Sequence, residues 1–414
     1  MVGSRNFYRL IFCVSCLILF GLQKTAAQIE DYLYRSDARI DSTLYRQLFI
    51  EVDNLSFFKN NEYNSTVQKG YTLPGFWLQL KTTYYPFVNL KLEAGAHSIW
   101  FWGATRYPAF AYIDISTWSG RDYSHNVHVL PFFRASLAFS KNVQVIIGNI
   151  YGGSNHGLID PLYNSELNLS ADPEAGVQLL YHSPWLDFDG WLDWISFIYR
   201  LDTHQESFIT GFSSTFKVNP ATSRFHIYFP LQGLAQHRGG ELEITDAYNY
   251  TAYNGAVGVG MRWNLNRSVL KYMNIETDIV GYKDASTMAY TLWKGFGVYT
   301  KFAMRLQNFH LTAAHWSCKD FVPLLGNPFY GAVSNKINGM IYRRPKMLYL
   351  GIDYVYPLGK GYACGLHGSV YYFFSGKMYA SETGLRANSS FGENQNFAMG
   401  VFMRLNPSFL LKRY

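Results

Sequence analysis

Apolar and polar residues alternate in phase over long stretches of this chain. In Gly255 to Asn266, Val257, Val259, Met261, Trp263 and Leu265 hold the odd positions, while Ala256, Gly258, Gly260, Arg262, Asn264 and Asn266 hold the even ones. Successive side chains of a β-strand point to opposite faces, so one face is continuously apolar and the other small, polar or cationic. Phe296 to Gln307 repeats the pattern, with Phe296, Val298, Phe302, Met304 and Leu306 against Gly297, Tyr299, Lys301, Arg305 and Gln307. Asn396 to Asn406 repeats it again, with Phe397, Met399, Val401, Met403 and Leu405 against Asn396, Ala398, Gly400, Arg404 and Asn406. About 9–11 tilted residues cross the hydrocarbon layer of a bilayer. Strands of that length, apolar outside and polar inside, are what a closed transmembrane β-barrel requires.

From Gln47 onward the pattern predicts strands near 47–58, 75–85, 88–102, 127–139, 143–152, 174–182, 187–199 and 207–218. It continues near 223–236, 254–266, 272–283, 295–307, 308–317, 346–357, 361–374 and 395–406. The expected fold is therefore all-β: a single transmembrane antiparallel β-barrel of about 16 strands, with 14–18 admitted, behind a short N-terminal periplasmic segment. Short links at Ser140-Lys141-Asn142, Asn219 to Thr222, Gln307-Asn308 and Leu358 to Gly361 alternate with long ones near 103–126, 153–173, 237–253, 318–345 and 375–394. Outer-membrane barrels keep their short turns periplasmic and their long loops external. The expected location is thus the cell outer membrane, with both termini periplasmic.

Composition agrees. Aromatic residues make up 18% of the chain and charged residues only 16%, against roughly a quarter charged in a soluble domain. Downstream of the amino terminus no apolar run reaches the length of a spanning helix, which excludes a helical membrane protein. The first 27 residues read as a secretory signal, with Arg5 and Arg9 before the apolar core Leu10 to Leu22 and small residues Thr25-Ala26-Ala27 at its end. Losing Arg5, Arg9 and Lys24 lowers the net charge from +7 to +4. That modest charge, with only short basic runs, argues against nucleic acid as a partner. Residues 28–46 form a periplasmic segment or plug, and 47–414 the barrel. Cys318 and Cys364 fall near opposite membrane faces and are expected as free thiols.

These features resemble a Gram-negative outer-membrane β-barrel of the Bacteroidota type, porin-like. The resemblance is carried by pattern over nearly the whole mature chain, with the stretches GNIYGG, NHGLIDPLYNSELNLSADPE, WLDWISFIYRLDTHQESF and LQGLAQHRGGE. It implies outer-membrane lipid and lipopolysaccharide as surroundings, and recognition of the terminal aromatic Tyr414 by the outer-membrane assembly machinery. Further outer-membrane proteins are admitted as partners. Pro407 departs from a simple terminal strand, so Asn406 to Tyr414 is expected to bend off the barrel.

Candidate chemistry lies on the face opposite the apolar stripe. Arg134, Arg262, Lys301, Arg305, Arg404, Asp193, Glu276, Asp278 and Asp353 share it as candidate lumen-lining residues. Their charges nearly cancel, which fits either a wet lumen with a transverse field or charges paired across the wall. The loop from Tyr151 to Glu166 either folds inward as a constriction or packs as an ordinary surface loop. Its His156, Asp160 and Glu166 match no familiar metal-ligand spacing, so neither metal nor cofactor is expected. Asp202 to Glu206 sets acidic groups around His204, as a proton-transfer cluster or as a polar turn. With no Gly-x-Ser-x-Gly elbow or Ser/His pairing recognisable, the chain is expected not to be an enzyme. The leading expectation is a porin or channel for small polar solutes. A non-conducting structural barrel subunit is the alternative, and an outer-membrane hydrolase the third.

Overall fold

The computed structural model describes residues 33–103, 127–198, 204–240, 249–286, 292–359, 361–380 and 389–414. The expected signal segment, residues 1–27, lies outside the described residues. Asp202 and Thr203 of the expected rim cluster lie outside them too; His204 Nε2 meets the Phe197 carbonyl at 3.0 Å.

The first nine strands are β1 (Gln47–Tyr63), β2 (Tyr71–Phe87), β3 (Leu90–Phe101), β4 (Val127–Ala138), β5 (Val143–Asn149), β6 (Ala175–His182), β7 (Leu186–Ser196), β8 (Ser207–Lys217) and β9 (Phe225–Arg238). There follow β10 (Tyr250–Asn264), β11 (Leu270–Asp284), β12 (Lys294–Leu306), β13 (Phe309–Lys319), β14 (Met340–Arg343), β15 (Lys346–Gly359), β16 (Tyr362–Phe373), β17 (Gly376–Ala380), β18 (Ser389–Phe391), β19 (Asn394–Leu405) and β20 (Ser408–Arg413). β1 to β13 with β15, β16 and β19 form a sixteen-stranded antiparallel barrel. It closes where β19 pairs with β1 from Asn54↔Leu405 to Tyr63↔Asn396. Closure leaves no unpaired edge, which the hydrocarbon layer would not tolerate.

The in-phase alternation sets which side faces lipid. Val257, Val259 and Met261 on β10, Phe296 and Val298 on β12, and Phe397, Met399, Val401 and Met403 on β19 are all exposed. Their sequence neighbours point inward. Beyond Pro407 the chain does not leave the wall, contrary to the expected bend: β20 continues alongside the start of β1, from Gln47↔Arg413 to Glu51↔Ser408. Val52 N–H donates to the Pro407 carbonyl at 3.1 Å, and the register along β1 is the same on both sides of the proline, Asn54↔Leu405 before it and Glu51↔Ser408 after it. Cys318 and Cys364 are free thiols, as expected.

The lumen is filled. Trp316, Tyr299, Phe321, Phe329, Tyr330 and Tyr342 are its largest fully buried rings, and each such burial contributes about 1.5–3 kcal/mol. Two connections fold inward to build this core: 150–174 supplies Ile159 and Leu162, and 320–339 supplies Phe321, Phe329 and Tyr330. They pair with one another at Tyr163↔Leu325, with Asn164 N–H on the Leu325 carbonyl at 2.8 Å. From the other mouth, Leu33 to Ala38 enters the lumen. Arg404 donates to the Leu33 and Arg35 carbonyls at 3.0 Å each, and Gln144 to the Ala38 carbonyl at 2.7 Å.

Filling also constrains the inner face of the wall. Gly260 faces inward, but a Cβ there would lie 2.1 Å from Tyr228 Cζ. An inward side chain at this position must displace the Tyr228 ring. Val259→Arg costs roughly 2–4 kcal/mol by placing a cation in lipid, and Gly260→Arg is expected to block assembly at least as strongly. Heat-modifiable gel mobility of the two variants checks this; a Gly260→Arg barrel that folds better than Val259→Arg would contradict the packing.

Candidate functional site

Several interior charges are paired with one another. Glu93, fully buried, sits 2.6 Å from Lys81, 3.3 Å from Lys91 and 3.4 Å from Arg134. Arg134 also lies over the Tyr151 ring at 3.9 Å. Arg404 grips Asp53 with two hydrogen bonds of 2.9 and 2.7 Å. Lys301 is 3.6 Å from Asp160, Arg262 covers the Tyr272 ring at 3.8 Å, and Arg305 donates to the Gln307 carbonyl at 3.0 Å. Among the acids, Asp193 accepts from Ala175 N–H at 2.8 Å and Glu276 from the Tyr228 hydroxyl at 2.6 Å. Asp278 is buried in the wall opposite Gly258.

The nine candidate residues do not form one site. Arg134 and Arg404 line a chamber of about 350 Å³ below the inward loops, together with Glu51, Asp53 and Lys91. Lys301 and Asp353 line a smaller, separate chamber of about 80 Å³. Arg262, Arg305, Asp193, Glu276 and Asp278 border neither.

The loop residues His156, Asp160 and Glu166 part company as well. Asp160 accepts from the Tyr299 hydroxyl. Glu166 accepts from Lys59, from the Tyr71 hydroxyl and, at 3.0 Å, from Asn61. No three His, Cys, Asp or Glu side chains among the described residues are gathered as metal ligands.

His156 is clamped. Its Nδ1 lies 2.8 Å from Asp189 and its Nε2 2.8 Å from Glu174. Its ring stacks on Trp191 with centroids 3.5 Å apart. Burial alone would push the imidazole down; the Glu174 charge and the hydrogen bonds the ring donates to both carboxylates outweigh it and raise the ring to about 9. A histidine raised in the folded state contributes stability that is complete below its ordinary value of 6.5 and lost as pH rises through about 9. The melting midpoint of the native protein is therefore expected to fall across that window relative to His156→Gln. Parallel curves for the two proteins would refute the clamp.

The small chamber contains different chemistry. Register places His310 of β13, Asp353 of β15 and His367 of β16 in one row across three strands. Asp353 Oδ1 accepts from His367 Nδ1 at 2.6 Å, and its other oxygen lies 3.6 Å from His310 Nδ1. The far nitrogen of His367, Nε2, lies 3.2 Å from the Ser369 hydroxyl. A carboxylate, an imidazole and a hydroxyl are thus linked in series, with the carboxylate fixing the tautomer that leaves Nε2 free to accept the serine proton. Tyr371 continues the inward row on β16 and takes a hydrogen bond from Asn327 at 3.3 Å. Sequence reasoning singled out Asp353 but missed His367 and Ser369.

Together the closed wall, the lipid-facing stripe and the plugged, charged interior define a β-barrel protein of the bacterial outer membrane. The chain belongs to the lipid A 3'-O-deacylase-type family, whose profile matches residues 40–414. Membership overturns the expectation of a non-catalytic porin or channel. No curated sequence matches the chain.

Among solved structures it is similar to a loop-deleted form of OmpT, an outer membrane protein of Vibrio cholerae, with TM-score 0.49 and 8% identity over 86% of this chain and 99% of that one. It is also similar to OccAB1 of Acinetobacter baumannii, with TM-score 0.47 and 8% identity over 87% and 96%. An anion-selective porin from Comamonas acidovorans gives TM-score 0.43 and 11% identity over 87% and 98%. Likenesses at this level carry no argument about activity.

Proposed function

We propose that the protein is an outer-membrane hydrolase that removes an ester-linked acyl chain from a lipid A-type glycolipid, with Ser369 as nucleophile. The observation that carries the catalytic assignment is the serial contact of Ser369, His367 and Asp353 at 3.2 and 2.6 Å. Family membership supports the substrate class.

In this reading His367 Nε2 takes the Ser369 proton as Oγ attacks the ester carbonyl. It then returns that proton to the departing sugar oxygen, leaving an acyl-serine. Water, activated by the same nitrogen, releases the fatty acid and restores the hydroxyl. Asp353 holds the ring and stabilises the imidazolium. The chamber beside them is small, about 80 Å³. An acyl ester enters once the paired loop segments near Asp160 and Asn327 move aside.

A second pair meets the geometric test at the rim. His237 Nδ1 lies 2.8 Å from the Thr251 hydroxyl, and its Nε2 is 3.1 Å from the Gly239 carbonyl. Its position at the strand ends favours contact with lipid, but it has a carbonyl where the lumen row has a carboxylate. Release of fatty acid from purified lipid A by Ser369→Ala and by Thr251→Val separates the two.

Both readings place the long connections outside the cell and the termini in the periplasm. A label at Asn335, exposed near an external strand end, is expected to react on intact cells. A label at Ala221, in the turn between β8 and β9, is expected to react only after the outer membrane is permeabilised. The reverse pattern would invert the barrel.

A further inference from the structure

The outer rim is not uniform in charge. Four wall strands that neighbour one another, β11, β12, β13 and β15, each end on the side of the long connections with an exposed lysine: Lys283, Lys294, Lys319 and Lys346. All four share the parity of the lipid-facing residues beneath them, among them Ile279, Phe296, Val298 and Leu350. They therefore point away from the lumen, toward the surrounding lipid.

Two cationic side chains face each other directly, since Lys283 is the cross-strand partner of Lys294. The same happens just above, where Arg343 of β14 opposes Lys377 of β17. Like charges directly opposite on one sheet face destabilise the pair unless something anionic lies between them. No carboxylate among the described residues is recorded as an ion-pair partner for any of these six. Lys294 instead lies 4.2 Å from the Trp293 ring, which is 61% exposed. On other strands of this rim Trp100, Trp102, Val127 and Trp194 face outward, as does the acidic Glu62.

We infer that this basic sector is a docking surface for the phosphates of a phosphorylated glycolipid in the outer leaflet, whose acyl chains lie along the apolar stripe below. Lysine ammoniums at the ends of strands spaced about 4.8 Å apart form a row to which two phosphates on one headgroup can bind at once. Alkyl stems run along the apolar surface while their charges reach the interface, and the exposed indole sits at the same level. The inference rests on the external placement of the long connections and is independent of whether Ser369 is the nucleophile.

The test measures binding rather than turnover. Full-length protein in neutral-lipid nanodiscs is titrated with bisphosphorylated lipid A and with the same lipid after phosphatase treatment, and bound lipid is counted by native mass spectrometry. The native protein is expected to hold the phosphorylated form at least about tenfold more tightly, and a Lys283→Gln, Lys294→Gln, Lys319→Gln, Lys346→Gln variant to lose that preference. Preference in the native protein should also weaken as salt is raised, a measurement that needs no variant. Equal retention of both lipids, a preference unchanged in the fourfold variant, or equally effective competition by inorganic phosphate would overturn the assignment.

Discussion

Ser369→Ala is expected to lower fatty-acid release from lipid A by at least about a thousandfold, while leaving the barrel folded. The first half follows from role. Without Oγ there is no acyl-enzyme, and His367 can only assist direct attack by water. The second half follows from packing. Ser369 is small, and the hydrogen bond it shares with His367 is 3.2 Å long; its removal costs about 1 kcal/mol, too little to unfold a closed barrel. Adding His367→Ala to Ser369→Ala should reduce the rate little further, because residues acting as one unit are not additive. Heat-modifiable mobility confirms folding, and mass spectrometry of the glycolipid reads the lost acyl chain. Full activity in Ser369→Ala, with loss in Thr251→Val, would move the chemistry to His237 at the rim.

The wall was legible because its signal is local. A period of two repeated over a dozen residues fixes which side chain faces lipid, and short turns fix which strands pair. The proposed catalytic row was partly within reach by the same logic. Counting back from the turn at Leu358 to Gly361 brings Asp353 opposite the region of His367, and Ser369 lies two residues on, hence on the same face. No sequence elbow marks the proposed Ser369, His367 and Asp353 series, because strand register brings these residues together. The filled lumen was not legible. Ile159, Leu162, Phe321 and Phe329 look like the scattered apolar residues of any loop, and only the fold shows that they pack against Trp316 and Tyr299. The end of the chain was misread for a related reason: Pro407 does break β19, but β1 is long enough to pair with the segment on either side of the break.

The largest loss of stability is expected at Arg404. Its guanidinium is almost wholly buried, joined to Asp53 by two hydrogen bonds, and it also donates to the carbonyls of Leu33 and Arg35. Arg404→Gln keeps a donor but removes the charge, so Asp53 stays buried as an uncompensated carboxylate. Breaking a buried pair from one side costs about 3–5 kcal/mol, and the Leu33 to Ser36 segment loses its anchor in the same step. Two readouts are expected to move together: a lower denaturant midpoint of the barrel, and new protease cleavage between Leu33 and Ala38. Replacing both partners, Asp53→Leu with Arg404→Met, should recover much of the barrel's stability, because neither position then leaves an uncompensated charge. It should not restore protection of the segment, which needs the arginine's donors. This split distinguishes an electrostatic wall contact from a tether. If the double variant were no more stable than Arg404→Gln, the ion pair would not be the source of the loss. If the segment stayed protected in both, Arg404 would not be what holds it in the lumen.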